Sequence, residues 1–92
     1  MKKAVKINIK GLVQGVFFRN FIKENAEKLD LVGHVRNMSN GSVEVLVQGS
    51  REKIERMINV CKRGPPHSRI DEVEIEPISL VDGLREFKIL RF

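Results

Sequence analysis

Two hydrophobic periods alternate along this chain. Val5, Ile7 and Ile9 fall on every second position, with Lys6, Asn8 and Lys10 between them. That is the pattern of a strand with one buried face. From Phe18 the period lengthens. Phe18, Ile22, Ala26 and Leu29 recur at helical spacing, and Glu24, Glu27 and Lys28 lie off that stripe. Gly33 opens a second extended stretch through Met38. Asn40-Gly41 predicts a two-residue hairpin turn, because both residue types tolerate positive φ. Val43, Val45 and Val47 then alternate with Ser42, Glu44 and Leu46, and Gly49 is expected to end that strand. Ser50 is placed to cap a second helix, with Glu52 near the positive end of its dipole. Ile54, Met57, Ile58 and Cys61 form its apolar face, and Gly64-Pro65-Pro66 stops it. Val73 and Ile75 alternate with Glu72, Glu74 and Glu76 in a fourth strand whose acidic face is expected to be solvated. After the Asp82-Gly83 turn, Phe87 and Ile89 alternate with Glu86 and Lys88 in a short final strand.

This order predicts an α+β fold, a ferredoxin-like βαββαβ sandwich. Its antiparallel sheet carries two helices on one face and a short extra C-terminal strand. The 92 residues suffice for a single domain over 1–92. Hydrophobic residues at 41% and charged residues at 32% exclude a disordered or fibrous chain. Lys and Arg number 17 against 12 Asp and Glu, giving +5. That surplus favours anionic partners without choosing among them. The lone Cys61 excludes an internal disulfide, a paired-thiol redox site and a metal-chaperone site. It is expected to be a buried, inert thiol. Polar residues interrupt every apolar run, so neither a signal peptide nor a membrane span is expected. The expectation is a cytoplasmic monomer that makes no use of a membrane.

The most unusual segment is Gly11-Leu12-Val13-Gln14-Gly15-Val16-Phe17-Phe18-Arg19, between the first strand and the first helix. Two glycines four apart allow tight turns. A loop that enters a helix N-terminus aims free backbone N–H groups outward, and the helix dipole adds positive potential. Arg19 in that first turn opposes the dipole unless an anion occupies the loop, which its fork could hold bidentately. Taken locally, the pattern also fits a glycine-rich β–α turn with a surface arginine. It is neither a Walker loop nor a dinucleotide fingerprint. Asn37 is a poor strand former that parity with Val35 turns toward the helices. It reads either as an Asx-turn closing the strand or as an amide that orients a water or a substrate oxygen.

Ile9 through Arg19 resembles the first signature of the acylphosphatase family. Gly33 through Gly49 resembles its second, and Gly64-Pro65-Pro66 has a counterpart before the fourth strand. The resemblance covers essentially the whole chain. It implies a cofactor-free, metal-free enzyme that hydrolyses small anionic acyl phosphates to a carboxylate and inorganic phosphate. The family's phosphate-binding arginine falls on Arg19 and its water-orienting asparagine on Asn37. Its phosphate cradle falls on the backbone of Val13, Gln14, Gly15, Val16, Phe17 and Phe18. His34 and Met38 depart from the family's usual aromatic and threonine, and bear on substrate preference and pH profile.

An RNA-binding module shares the architecture, but nucleic acid is disfavoured. The aromatics such modules need are missing from Val43–Val47, and the chain has no Trp or Tyr. A ligand-sensing domain that binds an anion without turnover is the other alternative. A related role in carbamoyl-phosphate handling belongs to a domain of much longer proteins, and this short chain is expected to be the free enzyme. Of the remaining residues, Phe18 is expected in the core, Phe17 either lining the pocket or, the favoured reading, packed on the sheet, His34 facing solvent at a strand edge, and His67 in a solvated loop.

Overall fold

The structure is a computed structural model that describes residues 1–15 and 17–91. The elements follow the alternating periods: β1 Lys2–Leu12, α1 Phe18–Lys28, β2 Val32–Asn37, β3 Val43–Ser50, α2 Arg51–Arg63, β4 Arg69–Ile78 and β5 Phe87–Leu90. One sheet runs β4-β1-β3-β2-β5. The β1–β3, β1–β4 and β2–β3 pairs are antiparallel, as expected for the split βαβ plan. The extra strand β5 joins β2 in parallel.

Register carries the core across the sheet. Ile7 faces Val45, which faces Val35, and Ile9 faces Val43. These side chains share one face with Phe18, Ile22 and Ala26 of α1 and Ile54, Met57 and Cys61 of α2, all buried together. Burial pushes the Cys61 thiol up to about 12, so it is un-ionised and unreactive at neutral pH. Ser50 accepts a hydrogen bond from the Lys53 N–H at 3.3 Å and caps α2. No helix among the described residues is long and apolar enough to cross a membrane.

Three local expectations are corrected. The β2–β3 turn is not a two-residue hairpin. It is closed by Gly41 N–H to Met38 O at 3.1 Å and Met38 N–H to Ser42 O at 2.8 Å. Gly41 has positive φ and Asn40 does not. The Asn40 carboxamide instead accepts from the Ser42 N–H at 3.0 Å and the Ser42 hydroxyl at 2.7 Å. Strand β3 also runs through Gly49 to Ser50. His34 is not at a sheet edge, because β5 pairs with β2, and its side chain is only partly exposed. Its Nε2 lies 3.1 Å from Glu44 Oε2, which requires the proton on Nε2, and Arg36 Nε donates to the same oxygen at 3.0 Å.

Burial pushes the Glu44 carboxyl up. The hydrogen bonds from His34 and Arg36 and their charges outweigh it, so the group lies below its ordinary 4.5. A depressed carboxyl contributes stability above its unfolded value and loses it as pH falls through the folded one. Glu44→Gln is therefore expected to lower the unfolding free energy by about 1–3 kcal/mol at pH 7, the scale of hydrogen bonds to a charged group. In denaturant titrations the gap should narrow as pH falls below the ordinary carboxylate range and Glu44 itself takes up a proton. A gap that stays constant with pH would refute this role.

Candidate functional site

Strand β3 runs antiparallel to both of its neighbours, and β5 runs parallel to β2. The carboxyl ends of β1, β2 and β5 therefore meet at one end of the sheet, where α1 begins. Val13, just past β1, sits there with Asn37 at the end of β2 and Arg91 just past β5. They line a cleft of about 260 Å³ with Gly15, Phe17, Phe18, Arg19 and Asn20.

The loop between β1 and α1 is pinned at both ends. Val13 and Phe18 are fully buried in the core, and a buried Val or Phe side chain contributes about 1.5–3 kcal/mol. Gly11 does not make a turn. It sits in β1 at the register shift against β4, where any Cβ would collide with the Arg69 carbonyl oxygen. Gly15 does make one, at φ +78 with open space around it. Phe17 adopts the left-handed conformation at φ 59 and is 82% exposed. The expectation that its ring packs on the sheet is thus overturned. Left-handed backbone costs a bulky residue on the order of 1–2 kcal/mol, and such strain gathers at functional sites. Val16 lies outside the described residues.

Gln14 has a role that its place in the motif did not announce. Its Nε2 donates to Met38 O and to Ser42 O, both at 2.9 Å. One carboxamide therefore ties the β1–α1 loop to the β2–β3 turn. Gln14 contributes no lining to the cleft.

The start of α1 differs from that of α2. Phe17 is its N-cap, no side chain caps it, and its first turn holds no acidic residue. The free N–H groups and the positive end of the helix dipole thus open into the cleft without compensation. Arg19 adds a full positive charge. No carboxylate of a described residue pairs with Arg19 or Arg91, and neither Asp nor Glu lines the cleft. The combined field favours an anion.

Asn37 is paired in register with Val43 and shares the inward face of Val35 and Val45. Its Oδ1 is buried and receives no hydrogen bond from a described residue. The Asx-turn reading fails here, since Asn40 forms the turn. A buried acceptor without a donor costs about 1–3 kcal/mol, so its retention beside Arg19 calls for a reason. Among the described residues no group of three His, Cys, Asp or Glu could hold a metal ion.

Sequence reasoning named Arg19, Asn37 and the loop, and the structure brings them together. It missed Asn20 and Arg91. Asn20 follows Arg19 in the first helical turn, a position that could have been read. Arg91 depends on the parallel pairing of β5 with β2, for which local alternation carries no signal.

The acylphosphatase family model matches residues 5–89. An acylphosphatase of Caldivirga maquilingensis is 43% identical over 86 residues, covering 92% of this chain and 90% of the relative. The solved acylphosphatase of Coxiella burnetii superposes with a TM-score of 0.92 at 34% identity, over 97% of this chain and 93% of that one. A probable carbamoyltransferase HypF of Methanocaldococcus jannaschii is 44% identical over 92 residues, which is 99% of this chain and 12% of that protein. From the strand ends that build the cleft to full-length likeness in sequence and shape, these findings agree: the chain belongs to the acylphosphatase family, whose chemistry is the hydrolysis of acyl phosphates.

Proposed function

We propose that the phosphoryl group of a carboxyl phosphate binds against Arg19 and the backbone N–H groups of the loop between β1 and α1, and that Asn37 orients the attacking water. The observation that carries this reading is a shared cleft. In it an arginine that no carboxylate of a described residue pairs with stands at an uncapped helix start, beside a buried amide oxygen that no described residue donates to. Arg19 offers a planar fork for two phosphoryl oxygens, and the loop N–H groups stabilise the charge that builds on them. The Asn37 carbonyl accepts a hydrogen bond from water and holds it in line with the leaving carboxylate.

The water oxygen forms the new bond to phosphorus. The phosphorus–oxygen bond to the acyl group breaks, and the carboxylate leaves with the electron pair. Asn37 cannot ionise, and the cleft lining holds no Asp, Glu or His. A phosphoryl oxygen of the substrate therefore takes the proton of the water. A carboxylate is a good leaving group, so no general acid is required.

Release of phosphate from benzoyl phosphate, with a chelator present, tests the roles separately. Arg19→Ala should lower turnover by at least about 10²–10³-fold and weaken inhibition by inorganic phosphate. Arg19→Lys should recover less than about tenfold of the loss, because an ammonium lacks the fork. A lysine variant with native activity would show that charge alone suffices.

Asn37→Ala is expected to lower kcat by about 10²–10³-fold while the phosphate inhibition constant stays within about threefold. Equal loss of phosphate binding would place Asn37 on the anion instead of on the water.

Loss of the Gln14 latch should act through geometry. Gln14→Ala is expected to lower stability by about 1–3 kcal/mol, the sum of two ordinary hydrogen bonds, and turnover by about tenfold. Gln14→Glu should be no better, since an ionised carboxylate cannot donate to the Met38 and Ser42 carbonyls. Native activity in the glutamate variant would overturn the latch.

A further inference from the structure

We propose that Arg91 binds a second anionic group of the substrate, and so selects acyl phosphates whose acyl part carries a further negative charge. The proposal rests on the reading that Arg19 holds the phosphoryl group.

Strand β5 brings Arg91 to the site. It pairs with β2 in parallel, with Gly33 opposite Phe87 and Arg36 opposite Leu90. One further step of that register sets Arg91 beside Asn37. The same three side chains, Arg19, Asn37 and Arg91, then line two adjoining depressions. The first is the loop-side cleft described above. The second has a volume of about 490 Å³ and is completed by Met38, Ser39 and Leu90. That volume lies within the ~300–1,000 Å³ of small-molecule pockets.

With the phosphoryl group on the loop side, the acyl part extends past the shared wall into the second depression. Apart from Arg19, already committed to phosphate, the only charged side chain lining that depression among the described residues is Arg91. Neither Asp nor Glu lines either depression, and among the described residues no carboxylate pairs with Arg91. Two guanidinium groups on one wall repel each other, and a ligand with two anionic groups relieves both charges at once. A carboxylate or second phosphate on the acyl chain matches the arginine fork, whereas a plain alkyl or aryl group leaves it unused.

The test compares calorimetric affinities for phenylphosphonate and 3-carboxyphenylphosphonate, stable compounds that differ by one carboxylate. Benzoyl phosphate turnover is measured in parallel. Lys88→Ala removes one positive charge from β5 outside both depressions and serves as the charge control. The native protein should bind the carboxylated compound about tenfold tighter, the scale of one charge-assisted contact. Arg91→Ala should bring that ratio close to one, Arg91→Lys should hold an intermediate value, and Lys88→Ala should keep the native ratio. A native ratio near one overturns the proposal. So does a ratio that survives Arg91→Ala or falls equally in Lys88→Ala. These failures are read in the affinity ratio, while failure of the phosphate reading appears separately, as turnover indifferent to Arg19.

Discussion

The placement of β3 between β1 and β2 is the constraint on which the site depends. Because β3 runs against both neighbours, β1 and β2 point the same way and end side by side. Val43, Val45 and Val47 fix that arrangement, since each is fully buried and a slip of one residue would turn all three away from the helices. The same parity that buries Val35 sends Asn37 inward, two residues on. The end of β1 delivers the chain straight into α1, so the free N–H groups of that helix open opposite Asn37. Gln14 then closes the remaining freedom by bonding the loop to two carbonyls of the neighbouring turn.

The open face of the sheet and the end that carries the cleft treat charge differently. On the open face, two acidic side chains meet cations. Glu44 takes hydrogen bonds from His34 and Arg36, and Lys10 lies 3.4 Å from Glu74, whose carboxyl is held low by Asn8 and Lys10. At the end of the sheet Arg19 and Arg91 share a cleft that no acidic side chain lines. That asymmetry is expected where a chain compensates charge for stability in one place and leaves it open for a ligand in another. The strained Phe17 backbone lies at the same end, as does the Asn37 oxygen that receives no hydrogen bond from a described residue. Departures from local optimum thus gather around one cleft.

Much of this was legible in the residues. Strand parity and helical spacing mark each element, because burial on one face leaves a period that composition cannot mimic. The glycine loop, Arg19 and Asn37 stand out because each breaks a local rule. A cation opens a helix, and an amide sits at an inward strand position. What could not be read depends on contacts distant in sequence. The direction of β5 decides that Arg91 reaches the site. The Asn40 side chain settles the turn, which released Asn37 from that duty. Phe17 looks apolar and therefore inward, but its left-handed backbone turns the ring to solvent. His34 looks like an edge residue until β5 pairs with its strand and Glu44 is found across the ladder.

The central claim is that an anion is held by the backbone between β1 and α1 together with Arg19. Titration of the isotope-labelled protein with inorganic phosphate, followed by amide and guanidinium NMR shifts, tests it directly. The account predicts saturable shifts concentrated in residues 13–19, together with the Arg19 side chain, and their loss in Arg19→Ala. Shifts spread over the lysine-rich surface and absent from that loop would contradict it.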